Sequence, residues 1–298
     1  MQDTTINDIF EKFDGAFAEN TMRAYRSDFR HYQTWCEKNG TSSLPAHAEL
    51  LARYVDELSL SHKSATIRRR INSLGTVFKL SKNADPSKAP EVVLALKRMH
   101  RRIGRQQAQA TPLTRDVLDK LLAQCDDDIR GLRNRVLLQL GYETMRRRSE
   151  ICNFRFEDLI ESSKRGPAIR LVRSKTDQEG ASRLIPISEE TLSAIKAWQK
   201  VADISGAILR SVDRHGNVGN RLNPGSIGLI INALYRRCEI YEPEQIFSGH
   251  SFRVGAALDL LEAGTPLELI MLRGGWRSSD NAMEYLRNWP VERSEAYL

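Results

Sequence analysis

The sequence predicts a mainly α-helical protein in two parts: an N-terminal helical bundle, then an α+β domain with a small antiparallel sheet. Three observations carry this. Apolar residues recur at steps of three and four through residues 20–103, the period of an amphipathic helix. Residues 104–112 (GRQQAQATP) lose that periodicity, as a linker does. Helical patterns then resume, but two short β-type runs, 168–174 and 183–187, interrupt them across a polar turn. The expected boundaries are 1–105 for the bundle, 106–112 for the linker and 113–298 for the second domain.

Taken in order, residues 4–18 are expected to form a short helix with Ile6, Ile9, Phe10 and Phe13 on one side. From 20 to 37 the stripe is Met22, Tyr25, Phe29, Tyr32 and Cys36, with Asn20 or Thr21 as the cap and Gly40 past the end. Sharing one stripe, these aromatics read as core and not as a base-stacking platform. A helix over 46–59 turns Leu50, Leu51, Tyr54, Val55 and Leu58 inward. The next, 64–81, buries Ile67, Ile71, Leu74 and Phe78, and a fifth over 88–103 ends in KRMHRRIGR.

In the second domain Thr114 is expected to cap a helix over 115–124, and a helix over 127–142 is apolar enough to be buried. After the two strands come helices at 189–201, 225–238 and 251–262; in the last, Gly255, Ala256 and Ala257 permit close packing. Thr265-Pro266-Leu267-Glu268 reads as a capping box with proline at the first helical position. That helix stops at Gly274-Gly275, and Ser278 or Ser279 caps the last one.

Composition narrows the function classes. With 41% hydrophobic and 28% charged residues the chain can fold around a core. No apolar run is long enough to span a bilayer, and the acidic N-terminus lacks a signal core, so a cytoplasmic protein is expected. Cys36, Cys125, Cys152 and Cys238 are widely separated, which suits buried free thiols, and the six histidines show no metal-ligand spacing. Charge is uneven. Residues 1–60 carry 6 basic and 10 acidic side chains, residues 61–110 carry 12 and 2, and residues 111–298 carry 27 and 26. A concentrated positive segment is the footprint of a phosphate-backbone contact. Arg68, Arg69, Arg70, Lys97, Arg101 and Arg102 are the candidate DNA-binding residues, most of them for the backbone.

The chemistry concentrates elsewhere. His250 and Arg253 lie three residues apart, Trp276 follows the histidine by 26 residues, and Tyr285 comes nine later. Arg147 and Glu150 form an Arg-x-x-Glu box, and Lys175 begins the turn between the two β-type runs. A phosphodiester undergoing transfer gathers negative charge on its free oxygens, and arginine forks answer it with paired, charge-assisted bonds. Arg147 and Arg253 suit that role, with His250 and the Trp276 indole N–H as further donors. A phenol of pKa about 10 suits a covalent intermediate, which makes Tyr285 the candidate nucleophile. Lys175 can protonate the leaving 5′-oxygen, and Glu150 can orient the basic groups. No step needs a metal or nucleotide cofactor.

Order and spacing together resemble the tyrosine recombinases of the phage integrase family, in their Cre-like form. The resemblance rests on YETMRRRSEI at 142–151, the Arg-Ser-Lys-Thr around Lys175, SGHSFRVGA at 248–256, Gly-Gly-Trp at 274–276 and MEYLR at 283–287. It departs from the family in flanking the first arginine with two more, where small or apolar residues are common. Arg147 is assigned by its distance from Glu150, with Arg146 as the alternative register. The resemblance implies a site-specific recombinase whose domains form a C-shaped clamp on double-stranded DNA with inverted-repeat sites. It implies further a homo-tetramer on two synapsed sites, a 3′-phosphotyrosine intermediate and a Holliday junction, in a prokaryotic, phage or plasmid setting. Trp289, Val291, Tyr297 and Leu298 could supply a short C-terminal contact to a neighbouring copy. Two other readings stay open at this stage: a relaxing enzyme of the type IB topoisomerase kind, and a DNA-binding protein with a vestigial site.

Overall fold

The stripe Met22, Phe29, Tyr32 and Cys36 is buried along helix α1 (Glu19–Lys38). Its N-cap is Ala18, without a side-chain bond, so neither Asn20 nor Thr21 closes that end as expected. Helices α2 (Ala48–Leu58), α3 (Ser64–Leu80) and α4 (Pro90–Ile103) follow. A single 3-10 turn, Pro86–Lys88, precedes α4, and the Asp85 carboxylate accepts the Ser87 N–H at 2.9 Å. The inward faces meet in one core that holds Phe10, Tyr32, Tyr54, Ile71, Phe78, Ala95 and Met99. The computed structural model describes residues 10–11, 13, 15–105, 109–161, 166–172 and 183–286, without the side chains of 281, 284 and 285. Of the helix expected over 4–18, only 10–11 are helical among the described residues, and Gly15 turns the chain with φ 74°.

The chain divides into two compact units, Met1–Ala108 and Gln109–Leu298. In the second, α5 (Arg115–Ala123), α6 (Ile129–Thr144) and the short α7 (Arg148–Ile151) lead to a three-stranded sheet. Its strands β1 (Leu159–Ile160), β2 (Ala168–Leu171) and β3 (Arg183–Pro186) are antiparallel in the order β1-β2-β3. Ile169 stands opposite both Leu159 and Ile185. The two-residue β1 had no alternating pattern to announce it, and the turn at 175–182 lies outside the described residues. Then come α8 (Glu189–Ala202), α9 (Ser226–Tyr235), α10 (Ser251–Glu262), α11 (Leu267–Gly274) and α12 (Ser279–Leu286). Mostly helical structure with a small antiparallel sheet is the predicted fold class.

Two caps differ from expectation. Thr114 stands at the N-cap of α5 but makes no side-chain bond there. Pro266, not Thr265, is the N-cap of α11, and no side chain closes that end, so the expected capping box does not form. Asp128 does cap α6, accepting the Gly131 N–H at 2.6 Å.

α6 runs through the centre of this unit, with Val136, Leu137, Leu138, Gln139 and Leu140 all buried. α10 lies beside it. Gly255 allows its close approach to the chain entering α5, because a Cβ there would collide with the Leu113 carbonyl. The Leu113 N–H donates to Ser251 O at 3.0 Å. The Tyr142 hydroxyl donates to Asp259 Oδ2 at 2.5 Å, and the Arg115 N–H to the same oxygen at 2.8 Å. The C-terminal end of α6 is thereby held against α10, and the two carry the Arg-x-x-Glu and His-x-x-Arg boxes to one place. All four cysteines are buried and free.

Candidate active site

The site begins where α6 stops. Met145 ends the helix in the left-handed region, φ 52° and ψ 31°. For a residue with a Cβ this costs about 1–2 kcal/mol. The fully buried Met145 side chain, packed in a cluster with Val254, Leu258 and Ile270, offsets it. The reversal fans out the three arginines that follow. Arg146 turns inward and is 3% exposed. Arg147 becomes the N-cap of α7, its side chain 26% exposed, and Arg148 is exposed. Glu150, buried, holds Arg147 twice: Oε2 accepts the Arg147 backbone N–H at 3.1 Å, and Oε1 accepts Nη1 at 3.0 Å. This is the carboxylate half of a capping box turned to a second use, since it also aims the guanidinium.

The second box arrives on the start of α10. His250 is its N-cap, and the His250 carbonyl accepts the N–H groups of Arg253 and Val254. Before it, the Ser248 N–H donates to Ser251 Oγ at 2.9 Å and the His250 N–H to Ser248 Oγ at 3.2 Å, which fixes the turn. Gly249 abuts Arg148: a Cβ on the glycine would fall 2.8 Å from the Arg148 Cβ. Arg253 is 1% exposed, donates from Nη1 to the Met145 carbonyl at 2.8 Å, and lies 4.7 Å from the centre of the Trp276 ring. Burial lowers the His250 pKa, and Arg253, Arg148 and Arg147 lower it further. The imidazole is therefore neutral at pH 7, with one ring nitrogen able to donate.

Arg147, Arg148 and Arg253 thus gather around His250 at the N-terminus of α10, with Glu150 on Arg147 and Arg146 close to Arg253. A cationic cluster at the positive end of a helix is built for an anion with several oxygens. Guanidinium forks in a partly dry site suit the extra charge of a pentavalent phosphorus. Of the predicted site residues, the structure brings together Arg147, Glu150, His250, Arg253 and Trp276. The backbone of Tyr285 belongs to α12, but its side chain lies outside the described residues, as do Lys175 and the tail residues Trp289, Val291, Tyr297 and Leu298.

The six predicted DNA-binding residues are placed differently from one another. Lys97, Arg101 and Arg102 are exposed on α4, Arg102 donating to Ser59 Oγ. Arg68 is half-buried. Arg69 pairs with the buried Asp28, and Arg70, its side chain only 14% exposed, turns toward the same carboxylate. Arg70 Nη1 also donates to His31 Nε2 at 2.9 Å, and His31 Nδ1 then donates to the Tyr54 hydroxyl at 2.7 Å. Arg70 therefore has a structural occupation that a run of three arginines conceals. The sequence reading missed a second basic row. Arg23, Arg26 and Arg30 are exposed on α1 and line an open groove with His31 and Lys38. Their spacing of three and four was the available signal, hidden because acidic residues on other faces made the window 1–60 net negative.

The His31 arrangement makes a pH prediction. Burial first, then Arg70 and His62, lower its pKa below 6.5. Protonation would put a hydrogen on Nε2 facing the Arg70 guanidinium. A depressed histidine stabilises the fold fully above its unfolded pKa and loses that contribution as pH falls below it. The thermal midpoint should fall between about pH 7 and pH 5.5, and His31→Gln, which keeps an acceptor and a donor without titrating, should shrink that fall. An equal fall in both proteins would remove His31 from the account.

A cationic cluster of this kind is suited to receive a phosphate. Comparison with known proteins narrows the class. The phage integrase family pattern matches residues 111–290, and the phage integrase N-terminal SAM-like domain matches residues 12–84. An integrase/recombinase XerD homolog of Selenomonas ruminantium is 28% identical over 291 residues, covering 94% of this chain and 84% of its own. The Cre recombinase of Escherichia phage P1 is 26% identical over 298 residues, covering 93% and 86%. A lambda integrase tetramer bound to a Holliday junction shares the fold at a TM-score of 0.65 and 16% identity, over 94% of this chain and 75% of that one. The chain belongs to the phage integrase family, the tyrosine recombinases, and is an enzyme of site-specific DNA recombination. Among the described residues no helix is long and apolar enough to cross a membrane.

Proposed function

We propose that Tyr285 attacks a scissile DNA phosphate, giving a 3′-phosphotyrosine and a free 5′-hydroxyl, and that the 5′-hydroxyl of a partner strand reverses the step. Arg147, Arg253, His250 and Trp276 hold the phosphate oxygens, Glu150 aims Arg147, and Lys175 protonates the leaving 5′-oxygen. Arg147 and not Arg146 faces the phosphate, because Arg146 is spent on main-chain carbonyls. The observation that carries this reading is the convergence of Arg147, Arg148, Arg253 and His250, three arginines and a neutral histidine, beside one aiming carboxylate. Lys97, Arg101, Arg102 and the row Arg23, Arg26, Arg30 hold the duplex backbone. Arg68 and Arg69 contribute at the edge of that surface, while Arg70 supports it from within. The unit 1–105 is the DNA-binding domain, 106–112 the linker and 113–298 the catalytic domain. The protein works as a homo-tetramer on two inverted-repeat sites, through a Holliday junction, in the cytoplasm of a prokaryotic host.

The test has two stages. Sequences bound by the protein are selected from a pool of random duplexes. Nicked duplexes carrying the selected sequence are then incubated with protein and resolved on a denaturing gel. A protein–DNA adduct at the 3′ end, with a free 5′-hydroxyl on the other product, is expected. Products ending in 3′-hydroxyl and 5′-phosphate would overturn the reading. Equal relaxation of supercoiled DNA that lacks the selected site would overturn its site specificity.

A further inference from the structure

Of the three consecutive arginines, Arg147 holds the phosphate and Arg148 lies beside it, which leaves Arg146 without a task. Its placement is specific. Arg146 Nε donates to Thr144 O at 2.9 Å, in the last turn of α6, and Nη2 donates to Arg273 O, in the last turn of α11. Both are C-terminal carbonyls that their own helices leave without a partner, and both lie at the negative end of a helix dipole. That is the counter-charge of this buried cation. Burial, followed by Arg253, lowers its pKa to about 10, so it remains charged at neutral pH.

A reciprocal contact runs the other way. Arg273 Nε and Nη2 donate to Glu143 O at 3.3 and 3.2 Å. Two arginines thus clasp the end of α6 to the end of α11. Immediately after the clasp, Gly275 turns with φ 73°, and the Gly275 and Trp276 N–H groups both return to Met271 O, at 2.8 and 3.0 Å. A Cβ on Gly275 would fall 2.6 Å from Arg146 Nη1, so the turn is built around the guanidinium. Trp276 then covers Arg253, and α12, which carries Tyr285, starts three residues later.

We propose that Arg146 is a positioning residue for strand cleavage: it fastens the segment that carries Trp276 and Tyr285 to the turn that presents Arg147. The proposal rests on Tyr285 being the nucleophile. It touches neither DNA nor the reacting atoms; it sets the distance between nucleophile and phosphate. A misplacement of about 1 Å by a change away from the chemistry can lower a rate roughly 100-fold, so the effect belongs to cleavage and not to DNA binding.

The experiment uses the full chain and a nicked duplex carrying the selected half-site. Half-site affinity is read by gel shift, and adduct formation under single turnover is read on denaturing gels. Arg146→Leu should lower the adduct rate about 10- to 100-fold while half-site affinity changes by less than about threefold. Arg146→Lys, whose ammonium can still reach one carbonyl, should recover part of that loss. Arg273→Ala, a surface change that opens the other half of the clasp, should lower the rate by a smaller factor. An Arg146→Leu adduct rate within about twofold of the parent, or affinity and rate falling in equal proportion, would overturn the proposal. So would Arg146→Lys performing no better than Arg146→Leu. Should Arg146→Leu fail to fold, the lysine and Arg273 variants decide: both at the parent rate would overturn it, both slowed with affinity retained would support it. Absence of any adduct with the parent protein would instead refute Tyr285 as nucleophile.

Discussion

Tyr285→Phe is expected to form no covalent adduct with a nicked half-site duplex while retaining its affinity for that duplex. The substitution removes one oxygen. Without it there is no atom to take the phosphorus, and no amount of transition-state stabilisation replaces a missing nucleophile, so the loss should be of the order of 10⁶-fold, as for other covalent catalysts. Binding draws on the phosphate contacts of both units and should change by less than about twofold. Two other tyrosine hydroxyls of the same unit are already engaged. The Tyr142 hydroxyl is committed to Asp259 at 2.5 Å, and the Tyr235 hydroxyl donates to Ile240 O at 2.7 Å. An adduct that persists in Tyr285→Phe, seen as a protein-linked band after denaturation, would move the nucleophile elsewhere and dissolve the role given to α12.

How much of this was legible beforehand depends on the kind of interaction. Helix α10 has the bounds expected from its sequence, because a small-residue face between two turn signals admits few alternatives. The cluster of Arg147, His250 and Arg253 was legible too, since chemistry of one type demands residues of one type. Local caps were not: Ala18 and Pro266 are the N-caps of α1 and α11, and neither has a side-chain oxygen to accept a backbone N–H, so the hydroxyls of Thr21 and Thr265 nearby do not mark these ends. Arg146 and Arg70 mark the sharper limit. A run of arginines reads as a solvated face, but Arg146 is 3% exposed and Arg70 turns inward to Asp28. Their partners are a carbonyl 127 residues away and a carboxylate on another helix, and nothing in local spacing announces either. The row Arg23, Arg26, Arg30 was missed for the opposite reason, since net charge over a window averages the faces of a helix that DNA would see separately.

Arg253→Ala should lower the single-turnover adduct rate about 10³-fold or more, the effect of losing one charged donor to a phosphoryl transition state. Arg253 also has a structural role that must be weighed against this. It is 1% exposed, donates to Met145 O at 2.8 Å and supports the Trp276 ring. Removing it leaves that carbonyl without its donor, a cost of about 1–3 kcal/mol, against a typical stability of about 5–15 kcal/mol. Most molecules therefore stay folded, and unfolding alone cannot produce a thousandfold loss. Arg253→Lys separates the two roles. It restores a cation, but an ammonium lacks the planar fork that bonds a carbonyl with one arm and a phosphate oxygen with the other. Stability should return further than cleavage does. Trp276 lies against Arg253 and holds a phosphate oxygen as a neutral donor, so Trp276→Ala in the same assay should lower the rate by a smaller factor without abolishing it. Cleavage by Arg253→Ala within about tenfold of the parent would show that the buried arginine holds the fold alone, and would leave the charges of Arg147 and Arg148, with the neutral donor His250, to meet the phosphate.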